Sequence, residues 1–107
     1  MPLSELSGLV RAFLSLQWST PIEQLEIHIR LEDDLGMTGD DAAEFLEAFA
    51  REFRIDLAEL EFLKHFGPEA GWHTLPGYGL YPVTVGHLVE VAGRGRWFLP
   101  PRSDAAQ

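Results

Sequence analysis

The chain has 107 residues, 46% of them hydrophobic, no cysteine and a net charge of −9. That length fits one domain able to fold without a metal or disulfide, and the missing thiols exclude disulfides, iron–sulfur clusters and cysteine nucleophiles. The charge is concentrated: 13 of the 17 acids lie between Glu23 and Glu61, against three bases in the same stretch. Such a block repels nucleic acid and either attracts basic protein surfaces or only keeps one face solvated.

No apolar run reaches the ~18 residues of a membrane span. The opening, MPLSELSGLVRAF, has no basic flank ahead of its apolar residues and carries Glu5, so it does not read as a signal peptide. A cytoplasmic location is the default expectation.

In chain order, Leu6, Leu9, Val10, Phe13 and Leu16 or Gln17 recur at helical spacing and predict a first helix from about Ser4, acting as cap, to Trp18. Thr20, Pro21 and Glu23 carry a helix-start signature that predicts a short helical turn. Ile27, Ile29 and Leu31 then alternate with His28 and Arg30, which predicts a short extended segment leading into Leu35-Gly36.

The strongest pattern runs from Thr38 to Phe53. Ala42, Phe45, Leu46, Phe49 and Phe53 form one helical stripe. Asp40, Asp41, Glu44 and Glu47 lie early in the helix and mostly off that stripe, where exposed amides favour acids. Thr38 with Asp41 has the spacing of a capping box.

Asp56 and Glu59 repeat that spacing and predict a third helix lined by Leu57, Leu60, Phe62, Leu63 and Phe66 and ended by Gly67-Pro68. GPEAGWHTLPGYGLYP reads as a long loop. Its Trp72, Tyr78 and Tyr81 either fold back over the bundle or form a ligand or partner surface. Thr84 caps a last helix with Val85, Leu88, Val89 and Ala92 on one side and Gly93 and Arg94 as its stop. GRWFLPP reads as a short strand or an anchoring arm. The expectation is an all-α bundle of about four helices: a single domain over residues 1–99, a long aromatic loop before the last helix, and a flexible tail over 100–107.

Catalytic and metal chemistry find little support. His65, Glu69 and His73 are spaced by four, but Gly67-Pro68 and Gly71 break the helix that would align them as metal ligands. His28 and His87 are isolated and read as surface or half-buried side chains. No nucleophile elbow, phosphate loop or H-E-x-x-H is present. Asp40 and Asp41 are neighbours on a helix and point in different directions, so they make no acid–base pair. The Arg94 and Arg96 of GRGRW are too few to bind nucleic acid and read as a solvated helix end or as partners of the acidic helix. Neither an enzyme nor a metal or cofactor site is expected.

Asp34-Leu35-Gly36, Asp41, Glu44, Phe45, Leu46, Phe49, Phe53 and Ile55 fall without a gap on a motif that resembles the acyl carrier protein family. In that family D-L-G-x-D-S-L-D opens an amphipathic helix. Leu31 matches an apolar position before the motif, and VTVGHLVEV, Val83 to Val91, resembles the start of the family's last helix. The likeness is to a branch of short, uncharacterised bacterial acyl-carrier-like proteins. The departure lies at the phosphopantetheine serine, whose position is taken by Gly39, flanked by Thr38 and Asp40. Glycine has no side chain to modify, and the Thr38 hydroxyl sits one residue early and reads as the cap.

The resemblance implies that Asp41 and Glu44 stand where the family docks on basic enzyme surfaces. Asp40 and Glu47 add acids to that face, while Ala50 and Arg51 replace acids frequent there. The expectation is a non-enzymatic, acyl-carrier-like protein without the attachment serine, presenting Asp40, Asp41, Glu44 and Glu47 to a basic protein surface. Two alternatives stay open: a true carrier with a displaced attachment hydroxyl, and a module binding a small molecule or acyl chain.

Overall fold

The first sixteen-residue helix, α1, spans Leu3–Trp18 in the structure, a computed structural model that describes residues 2–62, 65–66 and 81–100. Leu6, Val10 and Leu14, at successive spacings of four, face the core. Leu9 and Leu16, expected on the inner stripe, remain 46% and 82% exposed. The buried row follows the i, i+4 line through Leu14 rather than the broader stripe. Pro2, not Ser4, is the N-cap: its carbonyl accepts from the amide of Leu6 at 3.0 Å. Ser19, in the left-handed region at φ 50°, ends the helix by donating its amide to Ser15.

The predicted turn after Thr20 is a 3-10 helix over Ile22–Gln24. Arg11 reaches across to it from α1, donating Nε to Leu25 O at 2.7 Å and a terminal nitrogen to Ile22 O at 3.0 Å. The first bond holds a carbonyl past the end of the turn, and the second adds to the bond that Ile22 O already accepts from Leu25 N at 3.0 Å.

The alternating segment at Ile27–Leu31 is a turn with a ladder-like edge rather than a strand. Leu31 donates to Val83 O, Val85 to Ile29 O and Gly86 to Ile27 O, each at 2.9 Å. Only one isolated antiparallel bridge, between Arg30 and Thr84, results. Gly86 permits this approach, since a Cβ there would lie 3.1 Å from Ile27 O.

Helix α2 spans Gly39–Phe53 and buries Ala42, Phe45, Leu46 and Phe49. Phe45 stacks on Phe49 at 6.0 Å, and Phe13 of α1 meets the rings of Phe45, Phe49 and Phe53 at 5.9, 6.4 and 5.7 Å. Thr38 is the N-cap, but its side chain makes no cap hydrogen bond, so the expected capping box with Asp41 is not formed. A missing cap bond costs about 1 kcal/mol. Burying Phe45, Leu46 and Phe49 returns about 1.5–3 kcal/mol each, so packing rather than capping holds α2.

The third helix expected from Asp56 is replaced, over its described residues, by turns. Asp56 Oδ1 accepts from the amide of Ala58 at 2.8 Å, Leu60 donates to Leu57 O, and His65 and Phe66 both donate to Phe62 O. An Asx turn uses the Asp side chain locally and diverts the backbone from a helical path. Residues 63–64 lie outside the described residues, as does the aromatic loop with Trp72 and Tyr78, and residues 101–107 of the expected tail.

Helix α3 spans Val85–Arg94, capped by Thr84, whose Oγ1 accepts from His87 N at 3.1 Å. It runs through Gly93 and Arg94, and Gly95, at φ 76°, makes the stop. α3 packs directly on α1. The following arm doubles back. Asp56 donates to Gly95 O at 3.0 Å and Trp97 donates to Asp56 O at 2.8 Å, a parallel bridge that seats Trp97 in the core at 1% exposure. The anchoring-arm reading of GRWFLPP is the one the fold adopts. The architecture is all-α, with three α-helices and one 3-10 turn among the described residues rather than about four helices.

Candidate functional site

Successive residues of a helix turn by about 100°, which fixes where the four acids of α2 point. Asp40, Glu44 and Glu47 fall on one outer ridge, opposite Ala42, Phe45, Leu46 and Phe49. Asp41 is set round the flank nearest Glu44. All four are exposed. Among the described residues none takes an ion pair or side-chain hydrogen bond.

Two other acids of the block, Asp33 and Asp34, are engaged locally. Asp34 Oδ2 accepts from the amide of Arg30 at 2.8 Å, and Asp33 pairs with the Arg30 guanidinium at 3.1 Å. Charge therefore divides along α2. The stretch from Asp40 to Glu47 carries the four uncompensated acids and no base, and the last turn and cap carry Arg51 and Arg54 with Glu52 between them.

Gly39, at the head of this ridge, has φ 55°. A side chain is disfavoured in that left-handed backbone by roughly 1–2 kcal/mol, which gives the glycine a local conformational reason.

A second cluster escaped the sequence reading. His65 and His87, 2% and 4% exposed, flank the Trp97 indole edge-on at 5.4 and 5.1 Å. His87 is fully inside, not at the surface or half-buried. Its Nε2 lies 3.0 Å from Phe98 O. A carbonyl only accepts, so the neutral ring carries its proton on Nε2. Nδ1 then faces the interior, with no hydrogen-bond partner among the described residues. Burial is the main cause that lowers the His87 pKa from 6.5 to about 4, against the bond to Phe98 and with help from His65 and Arg94. His65 Nδ1 bonds Tyr81 O at 2.7 Å. The ring is part of the core, while Glu69 and His73, its supposed metal partners, lie outside the described residues. No group of metal-ligating side chains occurs among the described residues. Arg94 stacks over the Phe98 ring at 4.0 Å and closes the arm from outside.

The only sequence signal for this cluster was weak. His87 and Val91, four apart, form a second row on the back of α3, buried because the arm covers it.

Two apolar grooves flank α1. One, of about 720 Å³, runs between Leu3, Ile27 and Val89 past the start of α3. The amides there are already bonded to Ile29 O, Ile27 O and Thr84 Oγ1, so that helix end offers no anion site. The other, of about 630 Å³, lies between Leu9, Leu16, Phe53 and Gly93. No described helix is long and apolar enough to cross a membrane.

No curated protein and no solved structure matches the chain. One family model matches it, over residues 5–99, and it is not that of the acyl carrier proteins. That finding overturns the resemblance. The structure shows what the shared letters do here: Asp34 serves a turn, Leu35 O accepts the Trp18 indole at 2.9 Å, and Gly36 sits at φ 72°. The stripe that follows is what any core-facing helix presents. The chain belongs to the family described as "Protein of unknown function (DUF1493)".

Proposed function

We propose that the chain works by protein–protein interaction, presenting the outer ridge of α2 to a basic surface of a partner protein. Asp40, Glu44 and Glu47 form the ridge and Asp41 its flank. One observation carries this reading: the four carboxylates are exposed and uncompensated among the described residues, while neighbouring Asp33 and Asp34 are used in the fold. Acids at spacings of three and four repel one another by a few tenths of a kcal/mol per pair, and Glu44 and Glu47 lie beyond the first turn, where the helix N-terminus would favour them, so that half of the ridge is not there to stabilise α2. A cationic partner relieves that repulsion. The same field disfavours nucleic acid as the partner. No catalytic residue is assigned.

The test compares cross-linked partners of the wild-type chain with those of Glu44→Lys/Glu47→Lys, followed by binding kinetics of any partner lost. A basic partner should associate about tenfold to a hundredfold more slowly with the variant and more slowly at high salt. Partners that bind both chains equally, at rates indifferent to salt, would sink the reading.

A further inference from the structure

We infer that the groove of about 630 Å³ between α1 and the end of α2 is the contact between two copies of this chain, related by a twofold axis. Its lip is the outer row of α1. Leu9, Ala12, Phe13 and Leu16 recur at i, i+3, i+4 and i+7, the seam spacing of paired helices. Phe13 is turned partly onto the core rings, but Leu9 and Leu16 are 46% and 82% exposed and Ala12 is exposed as well, so most of the row is left open. Ala12 and Gly93 line the groove with small side chains, which suits helices approaching at about 8 Å.

Charge selects the occupant. The far wall carries one acid and one base, Glu52 and Arg54, both exposed and neither in an ion pair among the described residues. A twofold axis that passes between these two side chains sets Glu52 of each copy against Arg54 of the other. A uniformly basic partner would find one of the two mismatched.

The rest of the acidic chain repels a second copy, but this face does not. Residues 1–22 hold only Glu5 and Arg11 as charges, and Arg11 is turned onto Leu25 and Ile22. The end of α2 that borders the groove balances Glu52 with Arg54, while the acidic ridge belongs to the earlier part of that helix. The contact is therefore separate from the surface proposed above, and the two respond oppositely to salt. Screening weakens an acidic ridge on a basic partner but strengthens association of two chains of charge −9.

Equilibrium sedimentation of the full chain from micromolar to millimolar concentration tests this. The wild type should pass from one chain mass to two, with a midpoint that falls as salt is raised. Leu16→Glu should weaken association at least about tenfold with an unchanged circular-dichroism spectrum and urea midpoint, because that side chain is outside the core. Glu52→Arg and Arg54→Glu should each weaken it severalfold, and the double swap should restore it. A single chain mass at every concentration overturns the inference and leaves the groove to another kind of occupant. So does a dimer indifferent to Leu16→Glu, or a double swap no better than either single change.

Discussion

The imidazole of His87 meets the indole of Trp97 edge-on, with ring centroids 5.1 Å apart, and the same imidazole holds Phe98 O at 3.0 Å. One side chain of α3 thus clamps two successive residues of the arm that follows it. Neutral His87 suits that clamp and protonated His87 does not, because the second proton would sit on a buried nitrogen with no acceptor among the described residues.

The folded-state pKa of His87, about 4, lies below its ordinary 6.5. Between those values the unfolded chain binds the extra proton and the folded chain does not. The stabilisation due to neutral His87 is therefore complete above about pH 6.5 and is lost as pH falls towards 4, by up to about 3 kcal/mol in all. Below pH 4 the loss levels off. Carboxylate titration overlaps this window, so the measurement is a difference. Urea midpoints of wild type and His87→Gln, which keeps a donor for Phe98 O without titrating, should converge as pH drops from 7 to 4. A gap that stays constant would show that His87 does not titrate there.

Among the described residues Trp97 is the largest of the fully buried side chains. Trp97→Ala should destabilise the fold by about 3–5 kcal/mol, and Trp97→Phe by clearly less, since a ring still fills the space between His65 and His87. Chemical denaturation followed by far-ultraviolet circular dichroism reads both. Equal losses would mean that the arm is not packed as described.

Arg11 is worth more as a fork than as a charge. Its two donors satisfy Leu25 O and Ile22 O from one side chain, and an ammonium cannot reproduce that planar geometry. Arg11→Leu should cost about 1–3 kcal/mol, chiefly through the Leu25 carbonyl, since Ile22 O keeps its bond from Leu25 N, and Arg11→Lys should recover less than half of it. A fully stable lysine variant, read by urea midpoint, would argue that only the positive charge matters.

Two glycines in helices should respond with opposite signs to the same substitution. Gly8 in α1 has nothing within 4 Å of an added Cβ, so Gly8→Ala should stabilise by about 0.5–1 kcal/mol. At Gly86 the Cβ would press on Ile27 O at 3.1 Å and Ile27 Cβ at 3.3 Å. Helix propensity again favours alanine, but the strained contact and the weakened Gly86 N to Ile27 O bond outweigh it, and a net loss of about 1 kcal/mol is expected. Thermal melts of the two variants side by side give the comparison. A stabilised Gly86→Ala chain would mean that the turn at Ile27 yields freely.

The helices that were legible in the sequence are those with one buried face. The stripe from Ala42 to Phe49 and the cap at Thr84 could both be read directly from spacing. What failed was whatever tertiary contact decides. Leu9 and Leu16 have the period of core residues, yet Leu16 is left exposed. His87 looked isolated because the arm that covers its row on the back of α3 comes ten residues later. Asp56 had the spacing of a helix cap, but its carboxylate closes an Asx turn and its backbone pairs with Gly95 and Trp97, a long-range bridge that no local pattern announces. The acids of α2 could be read as exposed from the same stripe that placed their neighbours inside. Which acids would be left uncompensated could not, because it depends on Arg30 turning to Asp33.

That distinction separates two kinds of acid on α2 by experiment. Asp40 and Asp41 are in the first turn, where exposed amides favour negative charge. Glu44 and Glu47 are beyond it. Reversal of the first pair to lysine should lower stability by about 0.3–1 kcal/mol per residue, mixing a folding defect into any loss of binding. Reversal of Glu44 and Glu47 turns their repulsion from Asp40 and Asp41 into attraction while creating repulsion against Arg51, so the net change should stay within about 0.5 kcal/mol. Urea titrations of Asp40→Lys/Asp41→Lys and Glu44→Lys/Glu47→Lys read the split. If the second pair proves as destabilising as the first, the ridge is structural, and its exposure no longer argues for a partner. If only the first pair weakens the fold, Glu44→Lys/Glu47→Lys is a folded probe whose lost interactions can be assigned to the surface itself.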